Sequence, residues 1–193
     1  MKVVILEYNA GNTCSVQLAL QRCGIKAVIS KEASELESAD KIIFPGVGAA
    51  GSAMAFLRNH QLDQLIPTLQ QPVLGICLGM QLLCTSSEED HTSCLGVFDQ
   101  PVLHFVGKEK IPHTGWNSVH QLDSALFRNV PEGAYLYFVH SYYVPSCAMA
   151  IAETNYIQGF AAALHKNNFY GVQFHPEKSG LAGQQILQNF LSL

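Results

Sequence analysis

Pro72-Val73-Leu74-Gly75-Ile76-Cys77-Leu78-Gly79-Met80-Gln81 sets an apolar run against a cysteine, and Leu82-Leu83 continue it. A short apolar run reads as a buried strand, and the chain behind Cys77 reads as a helix that starts at once. The glycines let the backbone turn tightly without a Cβ clash. Such a turn holds Cys77 at the strand tip beside a helix N-terminus, whose partial positive charge favours a thiolate. This is nucleophile-elbow geometry with sulfur in place of oxygen. A small buried cysteine at a strand end is the plainer reading of the same residues.

Working outward, the first half alternates strand and helix signals. Val3–Leu6, Ala27–Ser30, Lys41–Phe44 and Pro72–Ile76 read as strands. Asn12–Cys23, with Gly24 as its C-cap, and Ala50–Asn59 and Gln61–Leu69 read as helices. That alternation predicts an α/β, flavodoxin-like parallel sheet covered by helices on both faces. Its sites then lie at the carboxyl ends of the strands, where Cys77 and the Pro45-Gly46-Val47-Gly48 loop fall. The second half changes character. Val97-Phe98, Tyr135–Val139, Ala148–Glu153, Phe160–Leu164 and Phe169–Gln173 are closely spaced strands, predicting an antiparallel segment in the C-terminal half. Gly180–Leu193 reads as a closing helix. No repeat or linker interrupts the chain, so one domain over residues 1–193 is expected.

Composition narrows the function. Of 193 residues, 48% are hydrophobic and only 13% charged, enough for a sizeable core and a surface that a partner covers in part. A net charge of −4 gives no nucleic-acid footprint. The eight histidines form no H-E-x-x-H and the six cysteines no C-x-x-C, so no metal is expected. The scattered cysteines read as reduced thiols of a cytoplasmic protein. The N-terminal strand lacks the features of a signal peptide, and no run approaches a membrane span.

A nucleophilic cysteine needs a base, and the base an orienter. His175-Pro176-Glu177 supplies both after the strand-like Phe169–Phe174 run. The imidazole of His175 takes and gives protons, Glu177 fixes its tautomer, and Pro176 stiffens the turn. Together, G-x-C-x-G-x-Q and H-P-E resemble the class I (triad) glutamine amidotransferases. The resemblance implies a Cys77–His175–Glu177 triad acting on glutamine with no cofactor. Attack on a carboxamide makes an oxyanion that needs preset N–H donors, which the backbone of Val47, Gly48 and Leu78 would provide. Gln81, one turn after Cys77, and Glu89 become glutamine-binding side chains, with Ser141 and Tyr142 lining the pocket.

Further segments resemble one branch of that family. Tyr8–Asn12, Pro112-His113-Thr114-Gly115-Trp116-Asn117, Tyr137–Tyr143 and His175-Pro176-Glu177-Lys178-Ser179-Gly180 occur in this order. The set is similar to the glutaminase subunits of imidazole glycerol phosphate synthases. That branch implies a heterodimer with a (β/α)8-barrel cyclase subunit, to which ammonia is passed. Asn12, Trp116 and Lys178 are then expected to face the partner. Asp90–Gln100 matches nothing in that pattern and is expected to be a surface loop. Two rivals stand beside this reading. One is an amidotransferase feeding anthranilate, aminodeoxychorismate or pyridoxal phosphate synthesis. The other is a non-catalytic redox-sensing module on the same fold, with a peptidase a weaker third.

Overall fold

The computed structural model describes residues 1–8 and 12–193. Asn9-Ala10-Gly11, part of the Tyr8–Asn12 segment, lies outside the described residues. The first half lays down strands β1 (Val3–Leu6), β2 (Val28–Ser30), β3 (Lys41–Phe44) and β4 (Val73–Ile76). Helices α1 (Thr13–Arg22), α2 (Ala33–Glu37), α3 (Ala50–Asn59) and α4 (Leu62–Leu65) connect them, and α5 (Leu78–Leu82) follows β4. Then come β5 (Ser86–Ser87), β6 (Thr92–Ser93), β7 (Pro101–His104), β8 (His113–Ser118), β9 (Tyr135–His140) and β10 (Tyr142–Tyr143). The chain ends with β11 (Ala150–Tyr156), β12 (Gln158–Lys166), β13 (Phe169–Val172) and α6 (Gly180–Leu191).

The main sheet has the order β11-β12-β13-β4-β3-β1-β2. From β13 to β2 every pair is parallel, whereas β12 runs antiparallel to both β11 and β13. The expected antiparallel segment thus extends the parallel sheet on one edge. It also adds the β8–β9 hairpin and a small sheet ordered β10-β7-β5-β6.

The alternation of side chains along each strand splits the core in two. Val3, Ile5, Ile43, Leu74 and Ile76 point to one face, where Val16 and Leu20 of α1 and Ile186, Leu187 and Phe190 of α6 cover them. Val4, Leu6, Ile42, Phe44 and Val73 point to the other, under Ala53, Met54 and Leu57 of α3 and Leu78 and Leu82 of α5. Helix α1 ends as its sequence demands: Gly24 takes φ 81°, its N–H meets Gln21 O, and Ile25 N–H reaches Leu20 O.

Three expectations change. The helix expected over Gln61–Leu69 is a short α-helix followed by a 3-10 turn at Ile66–Thr68, where Pro67 removes a helical donor. Val97-Phe98 is a bend, not a strand; Phe98 is fully buried against the second core, so its apolarity serves packing. Residues 90–100 are more than a loop, since Thr92–Ser93 pairs antiparallel with Ser86–Ser87. Among the described residues all six cysteines are free. Among the described residues no helix is long and apolar enough to cross a membrane, and no cluster of His, Cys, Asp or Glu is placed to hold a metal.

Candidate active site

The carboxyl ends of β1, β3, β4 and β13 meet at one edge of the sheet. Cys77 bridges β4 and α5 at φ 52°, ψ −108°, a backbone conformation that cysteine resists. Its N–H is anchored on Val172 O at 2.8 Å. The turn closes because Gly79 carries no side chain: a Cβ there would stand 1.9 Å from Phe44 O. A Cβ on Gly46 would likewise meet the Tyr8 hydroxyl at 2.3 Å, so the Pro45–Gly48 loop can lie against the elbow. The Tyr8 hydroxyl donates to Pro45 O and pins that loop from β1. Leu78 opens α5, and the N–H groups of a first helical turn lack intrahelical partners.

Beside Cys77 lies a cleft of about 290 Å³. Val47, Gly48, Leu78, Gln81, Glu89, Ser141 and Tyr142 all line it together with Cys77, and Pro112, Val139 and His140 complete the wall. Gln81 is nearly buried, and its Nε2 donates to Tyr142 O at 3.0 Å and to Gln173 Oε1 at 2.9 Å. Glu89 Oε2 accepts the Ala50 N–H at 2.7 Å at the start of α3. Burial pushes the Glu89 carboxyl above its usual range, with the Ala50 N–H opposing that shift.

His175 and Glu177 form the back of the site, their side chains each 1% exposed. His175 Nδ1 donates to Glu177 Oε1 at 2.8 Å. The Nε2 atom is buried with no hydrogen-bond partner among the described residues, and the Cys77 sulfur is close enough to act on it. Burial presses His175 toward neutrality. The nearby Cys77 sulfur and then the Glu177 carboxylate outweigh that pressure, and the imidazole is pushed up to about 10. The imidazole of His175 is thus favoured in its charged form beside the Cys77 sulfur and the Glu177 carboxylate. The base loop is fixed to β9: His175 N–H reaches Tyr137 O at 2.9 Å, and Ser179 Oγ donates to His175 O and accepts the Tyr137 N–H.

Of the residues expected to face a partner, Asn12 is half-buried and also reaches inward. Its Nδ2 donates to Glu177 Oε1 at 2.7 Å, so the amide braces the carboxylate from inside. That reach also explains why Asn12, at the N-cap of α1, makes no side-chain cap. Trp116 is 55% exposed and Lys178 is exposed. Both flank the Tyr137 ring, Trp116 edge-on and Lys178 Nζ 5.8 Å above it.

Sequence reasoning missed three residues here. Gln173, a lone amide in the apolar run before His175, has Nε2 3.5 Å from Cys77 Sγ. His113 and His140 are stacked into the aromatic core behind the cleft, 3.0 Å apart between Nδ1 and Nε2. His140 Nδ1 donates to Tyr142 O at 2.7 Å. Burial lowers His113 to about 4 and His140 to about 3, so both are neutral. For His140 the signal available was a histidine closing the otherwise apolar and aromatic run of β9.

A cysteine on an elbow, an imidazole behind it and a carboxylate bracing that imidazole are the arrangement that a triad acyl-transfer site would use. The chain belongs to the glutamine amidotransferase class-I family, whose model matches residues 4–193. Among curated proteins it is 54% identical to the imidazole glycerol phosphate synthase subunit HisH of Bacteroides thetaiotaomicron, over 100% of both chains. It is 50% identical to the protein of that name from Yersinia pseudotuberculosis and 48% to that of Salmonella typhimurium, again over 100% of each. Among solved structures, a glutamine amidotransferase of Thermotoga maritima superposes with TM-score 0.71 at 16% identity, covering 100% of this chain and 96% of that one. Another, described as glutamine amidotransferase, gives TM-score 0.75 at 15% identity, covering 98% and 97%. At such identities these two structures speak for the fold.

Proposed function

We propose that this chain is the glutaminase subunit of an imidazole glycerol phosphate synthase, one domain over residues 1–193. It splits glutamine to glutamate and ammonia for histidine biosynthesis. The carrying observation is Cys77 in the wall of a cleft with amide and carboxylate side chains, with His175 bonded to Glu177 behind it, in a chain about half identical to three proteins of that name.

The Cys77 thiolate attacks the side-chain carboxamide of glutamine. The charge that moves to the carbonyl oxygen is met by the N–H of Leu78 and of the Val47–Gly48 segment. His175 gives its proton to the departing nitrogen, releasing ammonia and a glutamyl thioester. Water, deprotonated by His175, attacks the thioester, glutamate leaves and the thiolate returns. Glu177 holds the imidazole through both halves. Gln81 and Glu89 meet the amino-acid end of the substrate, with Ser141 and Tyr142 forming the pocket wall.

Ammonia released into neutral water would be protonated and lose its nucleophilicity. A (β/α)8-barrel cyclase docked as a heterodimer would take it before that happens, making imidazole glycerol phosphate and an aminoimidazole carboxamide ribotide. A cytoplasmic location suits six free thiols. The test is co-purification with a barrel-type cyclase, then assay with glutamine and with ammonium salts. The wild-type pair is expected to use both nitrogen sources, and Cys77→Ala only ammonium. Glutamine-dependent synthesis by Cys77→Ala would overturn the assignment.

A further inference from the structure

Gln173 is wholly buried. Its N–H is tied to Ala162 O at 2.8 Å in the sheet. An amide in such a place is unfavourable unless both ends are hydrogen-bonded, and an apolar residue would suit the surrounding core better. Both ends are bonded, and the direction of the bonds is fixed by chemistry alone. The Tyr142 carbonyl can only accept, and it lies 3.0 Å from the Gln81 amide, so Gln81 presents its NH2 there. That same nitrogen lies 2.9 Å from Gln173, which must present oxygen to it. The remaining end of Gln173, its NH2, therefore faces Cys77 Sγ at 3.5 Å. An N–H aimed at sulfur is worth most when the sulfur is an anion.

We propose that Gln173 is a further catalytic residue, donating a hydrogen bond to the Cys77 thiolate and aligning it with the cleft wall through Gln81. This rests on Cys77 being the nucleophile of the glutaminase reaction. When the sulfur attacks, its charge passes to the carboxamide oxygen and the N–H···S bond weakens. When water expels the thiol from the thioester, the charge returns to sulfur and the bond is remade. The gain therefore falls on forming the resting thiolate and on releasing it in the second half of the cycle.

Two substitutions separate the roles of the amide. Gln173→Glu keeps an acceptor for Gln81 and removes the donor to sulfur; Gln173→Met removes both at similar size. With each folded by circular dichroism, kcat for glutamine in the complex is expected to fall about ten- to hundredfold, KM staying within about threefold. The pH profile of iodoacetamide alkylation at Cys77 is expected to move roughly one to two units alkaline, further for Gln173→Glu. Wild-type kcat and an unmoved alkylation profile in both variants would overturn the proposal. Should neither variant fold, the wild-type chain labelled with nitrogen-15 decides. The Gln173 side-chain resonance should follow the pH and shift on alkylation of Cys77, and a resonance indifferent to both sinks the idea. Cys77→Ala, assayed in parallel, separates the levels. Activity retained there sinks the nucleophile reading and this proposal together, whereas activity lost there with silent Gln173 variants sinks this proposal alone.

Discussion

Cys77 sits at φ 52°, ψ −108°, which glycine adopts freely and a residue with a Cβ does not. Such a position costs of order 1–3 kcal/mol in a non-glycine residue. Glycine's greater freedom in the unfolded chain offsets about 0.5–1 kcal/mol of any gain from relieving it. Cys77→Gly should therefore fold more stably than Cys77→Ala by about 1 kcal/mol, roughly 2–4 °C in Tm for a chain of this size. Both variants should be without glutaminase activity. Thermal melts of the two proteins test this, and an alanine variant that melts higher would show that the elbow is relaxed. The prediction turns on a dihedral angle, yet its cause was visible in the residues: Gly75 and Gly79 bracket Cys77 because the neighbouring backbone comes too close for side chains. What the sequence did not disclose at this scale was direction. Gln173 read only as the end of a strand, and Asn12 as a residue facing a partner. Only folding brings one amide to the sulfur and the other to Glu177, across 96 and 165 positions of chain.

At the scale of elements, the parallel half was legible because each strand is a continuous apolar run and each helix keeps its period. The second half was legible in kind and less so in place. The apolarity of Val97-Phe98 suited a strand equally well, and what decides between strand and bend is a partner that local sequence does not name. The β8–β9 hairpin shows the same limit: two histidines on facing strands become one buried pair. His113 pairs across with His140, and the hydrogen bond between them leads to Tyr142 O on the cleft wall. Both folded values, about 4 and about 3, lie below the ordinary 6.5. Above pH 6.5 neither state of the chain holds these protons, and stability does not depend on them. As the pH falls below 6.5 the unfolded chain takes up protons that the folded chain refuses, and stability declines until about pH 3. Melting temperature should thus drop by several degrees between pH 6.5 and 4. His140→Gln, which keeps a donor for Tyr142 O, should drop less steeply. Parallel slopes for the two proteins would assign the acid sensitivity to other groups.

At the scale of the whole molecule, the exposed aromatic patch and the buried His175 both rest on β9. Trp116 and Lys178 flank the Tyr137 ring on the outside, while the Tyr137 carbonyl takes the His175 N–H and the Val139 carbonyl lies 3.8 Å from Cys77 Sγ. Tyr135, 63% exposed, extends the exposed aromatic surface along β9. A partner seated on that patch would press on β9 and on the base loop together. The Pro45–Gly48 loop, proposed above to supply an oxyanion donor, offers the bistable part. Gly46 and Gly48 stand either side of β-branched Val47, and a peptide between them can aim an N–H at the cleft or away from it. One missing oxyanion donor costs on the order of 10²–10³ in rate. A partner can correct that only by binding the competent orientation more tightly. The isolated chain should accordingly be a poor glutaminase, and the cyclase with its nucleotide ligand should raise kcat by about that factor. Trp116→Ala should leave the slow rate of the isolated chain as it is and remove most of the stimulation. The measurement is glutamate release by the wild type and by Trp116→Ala, each alone, with the cyclase, and with cyclase plus nucleotide. Equal wild-type rates in the three arms would refute gating while leaving the triad untouched. Full stimulation of the Trp116→Ala variant would move the contact away from this patch.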